Sequence, residues 1–173
     1  MKTIAITGSS GFVGTNLKRY FTDLGYEVLP IARGDLSNQQ RLQEIINQSD
    51  IVINLAGANI INRWSESYKK LLYSSRIDTT KAIVEAINTV ENKPSQLIST
   101  SAVGIYDNKQ TYDENGVHTS DFLGKLAEDW EEEALKAKSE STKVSIFRFG
   151  IVLGKDGGAL EKMITPFKLG LGG

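Results

Sequence analysis

The chain has 173 residues, 40% of them hydrophobic and 24% charged, with a formal net charge of −1. That length predicts one domain around one sizeable core, and the near-neutral charge gives no electrostatic case for binding nucleic acid or an anionic membrane. The absence of cysteine excludes disulfides, thiolate metal sites and cysteine nucleophiles. The single histidine, His118, sits in the polar stretch Val117–Ser120, so no histidine-based metal site or triad is expected. No apolar run reads as a transmembrane helix or a signal peptide, and a cytoplasmic location is the expectation.

In chain order, a strand over Thr3–Thr7 runs into Thr7-Gly8-Ser9-Ser10-Gly11-Phe12-Val13-Gly14. An amphipathic helix over Gly11–Leu24 follows, with Phe12, Val13, Leu17, Tyr20, Phe21 and Leu24 at helical spacing. A glycine-rich turn between strand and helix suits a dinucleotide pyrophosphate. Glycines let the backbone approach the phosphates, and the helix N-terminus offers unpaired N–H groups. Gly8, Ser10, Gly11, Phe12, Val13 and Gly14 are assigned to that contact; a bare structural turn is the competing reading.

The second strand, over Glu27–Ala32, ends in Ile31-Ala32-Arg33-Gly34 with no acid at its tip. In dinucleotide folds an acid at this point accepts from the ribose 2′-OH and selects NAD, whereas an arginine pairs with the 2′-phosphate of NADP. Arg33 therefore favours NADP, with NAD as the lesser alternative. A solvated loop arginine is the bland reading, and Asp35 would argue for a 2′-OH if it turned inward. The stretch up to Asp50 has room for one short helix, Asn38–Gln48, and no extra strand.

A strand over Ile51–Leu55 precedes a loop carrying Asn59-Ile60-Ile61-Asn62-Arg63-Trp64, then a helix over Ser65–Val90. Trp64 either walls a pocket or anchors its loop. Strands over Gln96–Thr100 and Lys143–Phe149 and helices over Ser120–Lys138 and Ala159–Leu169 complete the alternation. The pattern predicts an α/β, Rossmann-type doubly wound parallel sheet with helices on both faces. Residues 1–155 form the nucleotide domain, and 156–173 begin a substrate-side segment that reads as cut short.

The glycine turn, Asn54-Leu55-Ala56-Gly57, Ser75-Arg76-Ile77-Asp78-Thr79-Thr80, Ser99-Thr100-Ser101-Ala102-Val103-Gly104-Ile105-Tyr106 and Arg148-Phe149-Gly150-Ile151-Val152-Leu153-Gly154 together span nearly the whole chain. They resemble the extended, epimerase-like branch of the short-chain dehydrogenase/reductase superfamily, the NAD(P)-dependent epimerase/dehydratase proteins. The resemblance implies an oxidoreductase or epimerase using NADP on a small polar or nucleotide-linked substrate. A homodimer is the assembly left open. It further implies cofactor contacts from Leu55, Ala56 and Gly57, from Arg76, from Ser99, and from Gly150, Ile151 and Val152.

Members of that superfamily usually work with a serine or threonine and a Tyr-x-x-x-Lys pair. The tyrosine passes a proton, and the lysine holds the cofactor ribose and lowers the tyrosine pKa. The resemblance places the serine at Ser101, with Thr100 a close competitor, and the lysine at Lys125, a solvated helix residue being the alternative. Asp121 stands where the tyrosine belongs. With an unperturbed pKa near ~4 against ~10 for tyrosine it is a poor proton donor, and as a helix N-cap it has a simpler role. Tyr106 is the better candidate for a replacement acid, ahead of Tyr112, with a rim or core tyrosine as the competing reading. The competing class is a non-catalytic NADP-binding protein that senses redox state or supports a partner.

Overall fold

The structure, a computed structural model, describes residues 1–154 and 157–170; the 155/156 boundary expected between two segments lies outside the described residues. The chain runs β1 (Thr3–Thr7), α1 (Phe12–Asp23), β2 (Glu27–Ile31), α2 (Arg33–Leu36), α3 (Gln39–Asn47), β3 (Ile51–Asn54), α4 (Glu66–Thr89), β4 (Gln96–Ala102), α5 (Phe122–Leu135), β5 (Lys143–Phe149) and α6 (Gly158–Lys168). These five strands form one parallel sheet in the order β2-β1-β3-β4-β5, with a short antiparallel bridge at Leu153–Gly154 outside it. The doubly wound α/β architecture expected from the alternation is the one observed.

Side-chain alternation along the strands divides the core between the two faces. Ile4, Ile6 and Ile53 are buried against Leu17 and Phe21 of α1. Ala5, Val52 and Leu97 face the other way, into a larger cluster with Leu42, Ile45 and Ile46 of α3, Ile83, Val84 and Ile87 of α4 and Ala134 of α5. The order of strands reverses at β1, between β2 and β3. In open parallel sheets a crevice opens at that point, beyond the carboxyl ends of the strands.

The short helix α2 was not anticipated. Immediately after β2 the chain makes a turn of helix, α2, instead of a plain loop. Asp35 closes it, its carboxylate accepting from the Ala32 N–H at 2.7 Å and lying 3.9 Å from Arg41. Three of the longer helices start where a polar side chain caps them: Asn38 for α3, Ser65 for α4 and Asp121 for α5.

A buried polar chain ties the sheet to its helices. Thr7 and Asn54 are register partners on β1 and β3, and the Thr7 hydroxyl donates to Asn54 Oδ1 at 2.8 Å. Asn54 Nδ2 donates to Thr80 Oγ1 on α4 at 2.9 Å, and Trp130 Nε1 on α5 donates to the same oxygen at 2.9 Å. Thr80→Val keeps the shape and strands both donors in a dry environment. Each such orphan costs about 1–3 kcal/mol. Urea unfolding should show a loss of about 2–4 kcal/mol for this variant, and a loss within experimental error of zero would contradict the network.

Candidate dinucleotide site

The turn after β1 is built by its glycines. Gly8 has φ +63°, and a Cβ there would sit 2.9 Å from the Leu55 carbonyl oxygen. At Gly14 a Cβ would come within 2.2 Å of the Gly8 carbonyl oxygen, so α1 rests directly on the turn. Gly11 is the N-cap of α1 and brings no capping side chain. The first N–H groups of α1 are thus left for another acceptor, and Gly11, Phe12, Val13 and Gly14 all line one cavity.

That cavity, of about 1350 Å³, lies along the carboxyl ends of the strands. Its volume exceeds the roughly 300–1,000 Å³ usual for small ligands and gives room for an extended one. On one side it is walled by Leu55, Ala56 and Gly57, on another by Gly150, Ile151 and Val152. The Thr7 hydroxyl oxygen shapes the first wall by accepting from the N–H groups of Leu55 (3.0 Å) and Ala56 (3.2 Å). Arg76 also reaches the cavity. Its guanidinium donates to the Leu72 and Ala58 carbonyls, both at 3.1 Å, and lies 5.3 Å from the centre of the Trp130 ring. Burial holds its pKa below the ordinary arginine value.

Among the described residues neither Arg76 nor Arg33 forms an ion pair. Arg33 is exposed at the end of β2, and Asp35, the group that would have argued for a 2′-OH, is committed to capping α2. Ser10 is exposed beside the turn, and Ser99 is buried in β4; neither lines the cavity. The Ser99 hydroxyl has no hydrogen-bond partner among the described residues. Trp64 anchors its loop: Nε1 donates to the Ile60 carbonyl at 2.9 Å, and the ring meets Phe122 edge-on. Ile60 and Ile61 reach the cavity from that loop.

The far wall departs most from expectation. Lys125 is on the outward face of α5, 61% exposed, with Nζ 2.8 Å from Asp129 and 3.1 Å from Glu128. Its hydrogen bonds to these two carboxylates raise its pKa further. It does not line the cavity; Leu123, Leu126, Ala127 and Trp130 do, at the i, i+3, i+4, i+7 spacing of one helix face. Asp121 is the N-cap, accepting from the Gly124 N–H at 2.8 Å. The cavity-facing pairs four residues apart are therefore Leu123 with Ala127 and Leu126 with Trp130, and neither pair carries a tyrosine or a lysine.

Ser101 does line the cavity. It is the β4 register partner of Arg148 on β5, so both side chains leave the same face of the sheet and meet Glu131 of α5. The Ser101 hydroxyl donates to Glu131 Oε1 at 2.5 Å. Arg148 grips the same carboxylate with Nε to Oε1 at 2.8 Å and a terminal nitrogen to Oε2 at 2.7 Å. Burial pushes the Glu131 pKa up, but hydrogen bonds from Arg148 and Ser101 and the Arg148 charge outweigh it and hold the carboxyl below its usual range. Thr100, the competing hydroxyl, donates to the Asn54 carbonyl at 3.0 Å.

Tyr106 is not brought to the large cavity. Its hydroxyl is hydrogen-bonded by Arg148, its ring stacks on Tyr112 at 5.2 Å, and it lines a smaller pocket on the far side of Glu131. The sequence reading missed Glu131. Its signal was present: it falls on the inward stripe of α5, between the buried Ala127 and Ala134, where a charged residue needs a partner.

Residues 4–171 match the model of the NAD dependent epimerase/dehydratase family. An epimerase family protein of Staphylococcus haemolyticus is 35% identical over 187 aligned positions, covering 100% of this chain and 62% of that protein. The mouse epimerase family protein SDR39U1 is 36% identical, covering 98% of this chain and 61% of the mouse protein. The chain thus spans about six tenths of the length of these relatives. Among solved structures, human SDR39U1 (isoform 2) with NADPH superposes with a TM-score of 0.88 at 31% identity, over 99% of this chain and 61% of the human one. A nucleoside-diphosphate sugar epimerase from Corynebacterium glutamicum gives a TM-score of 0.80 at 28% identity, over 96% of this chain and 38% of the other. Taken with the parallel sheet and the glycine turn beneath its cavity, these matches make the chain a member of the NAD dependent epimerase/dehydratase family, within the extended short-chain dehydrogenase/reductase superfamily.

Proposed function

We propose that the chain binds NADP(H) in the large cavity and serves hydride-transfer chemistry, as an oxidoreductase or epimerase, on a small polar or nucleotide-linked substrate. The observation that carries the nucleotide choice is at the end of β2. Arg33 is exposed and unpaired among the described residues, while the neighbouring acid is turned onto the backbone. A free guanidinium suits bidentate recognition of a 2′-phosphate. The NADPH-bound human relative supports the same choice.

The donor set fits a dinucleotide. The uncapped start of α1 and the glycine turn suit the pyrophosphate, and Arg76 adds a half-buried positive charge at the same cavity. Leu55–Gly57 and Gly150–Val152 offer backbone along its two sides. The cofactor supplies hydride transfer when bound, and the protein's part is to bind, orient and exclude water.

A second reading is favoured by one observation. With Leu123 and Ala127 at the inward positions of α5, the usual tyrosine–lysine pair is absent, as suits a non-catalytic NADP-binding protein. Turnover of NADPH with a panel of carbonyl compounds separates the two readings.

Titration calorimetry should show tighter binding of NADPH than of NADH. Arg33→Ala should lose roughly 1.5–3 kcal/mol for NADPH, the scale of a hydrogen bond to a charged group, and little for NADH; equal affinities in the unmodified chain would contradict the assignment. Gly11→Val should abolish NADPH binding. Its first added carbon meets only the Gly8 carbonyl oxygen, at 3.2 Å, so the fold survives while the branch enters the phosphate approach path. A folded variant with unchanged affinity would remove the turn from the site.

A further inference from the structure

We propose that Ser101 and Glu131 form the proton relay of this site, in place of a tyrosine–lysine pair on α5. The inference rests on the dinucleotide reading above. Ser101 is the hydroxyl that both lines the large cavity and touches a buried carboxylate. Glu131 does not reach that cavity; it lines the smaller pocket, of about 480 Å³, together with Tyr106, Tyr112, Glu114 and Arg148. The serine thus bridges the cavity to an acid whose other side opens on a second space, through which a proton exchanges with solvent.

The step balances. In oxidation, the substrate C–H bond breaks and its electron pair leaves with the hydrogen, as hydride, to an oxidised nicotinamide dinucleotide. The substrate O–H proton passes to Ser101 Oγ as the serine proton passes to Glu131 Oε1. A carbonyl group forms, the serine stays neutral and Glu131 ends protonated. Reduction runs the same transfers backwards, with protonated Glu131 as the source.

The groups facing Glu131 set its proton affinity. Ser101 approaches from β4 and Arg148 from β5, while His118, in the loop before α5, adds positive charge when protonated. All three favour the ionised form. At neutral pH the relay therefore stands ready as a base, and reduction slows as pH rises because the protonated acid becomes scarce. Arg148 also fixes the carboxylate in two-point geometry, which holds Oε1 against the serine.

The test uses the full chain with NADPH and 4-nitrobenzaldehyde as probe. Between about pH 5 and pH 8, kcat for reduction should fall about tenfold per pH unit, as for an acid that titrates below that range. Ser101→Ala and Glu131→Gln should each lower kcat by roughly 10²–10⁴-fold and abolish the slope, with NADPH affinity unchanged. The double variant should be no slower than either single one. Independently of turnover, carbon-13 NMR of the Glu131 carboxyl should give a midpoint below the usual carboxylate range, and Ser101→Ala should raise it by removing a donor to the charged form. If Glu131→Gln fails to fold, Ser101→Ala decides alone, since it leaves the Arg148–Glu131 pair intact. An unchanged kcat and slope in folded variants, or an unmoved Glu131 midpoint in Ser101→Ala, overturns the relay. NADPH binding without any reduction of the aldehyde overturns it too and leaves the dinucleotide reading standing. Failure to bind NADPH at all overturns that reading itself.

Discussion

The ion pair between buried Glu131 and half-buried Arg148 fixes how α5 is turned against the sheet, and the chemistry available at the cavity follows from that rotation. A buried carboxylate and guanidinium are costly to desolvate unless their remaining donors and acceptors are used. Here they are: Arg148 binds both Glu131 oxygens, the Tyr106 hydroxyl and the Glu114 carbonyl, and Glu131 accepts from Ser101 as well. Because Ser101 and Arg148 are cross-strand partners, Glu131 has one place to go. With it placed, Leu123 and Ala127 must face inward and Lys125 outward.

That constraint explains why the family motif misled at α5. A helix advances about 100° per residue. An assignment two residues out of register turns a side chain through about 200°, from the cavity to solvent. Asp121 and Lys125 have the spacing of an acid–base pair, yet one caps the helix and the other joins a surface cluster with Glu128 and Asp129. Spacing reports that two residues share a face; it does not report which face is turned inward. The inward face was recorded in the apolar stripe Leu123, Leu126, Ala127, Trp130 and Ala134, flanked by the buried acids Glu131 and Glu133.

Elsewhere the sequence was a better guide. The turn from β1 into α1 is local: glycine conformation, strand and amphipathic helix are all written within a few residues, and the structure places Gly8, Gly11, Phe12, Val13 and Gly14 together on the cavity. Strand positions followed from apolar runs flanked by turns, and β1 and β5 have the expected bounds. What local reading could not supply were contacts made across the sheet. The Thr7–Asn54–Thr80–Trp130 chain joins four elements, and the Arg148 grip on Tyr106 spans 42 residues. Tyr106 looked available because it follows the serine motif. Its hydroxyl is drawn off by a guanidinium that arrives from the other end of the chain.

The site that results has two halves of different character. One is a backbone cradle with an uncapped helix start and with Arg76, which forms no ion pair among the described residues, suited to an extended anion. The other is an apolar α5 wall beside the β4 hydroxyl of Ser101, which is in contact with a buried acid. Backbone amide NMR of the full chain titrated with NADPH tests this division most directly. The account predicts the largest shifts at Gly11, Phe12, Val13, Ala56 and Gly57, with shifts at Leu123 and Ala127 and none at Lys125. Shifts centred on Lys125 and Glu128, with the glycine turn unperturbed, would contradict it.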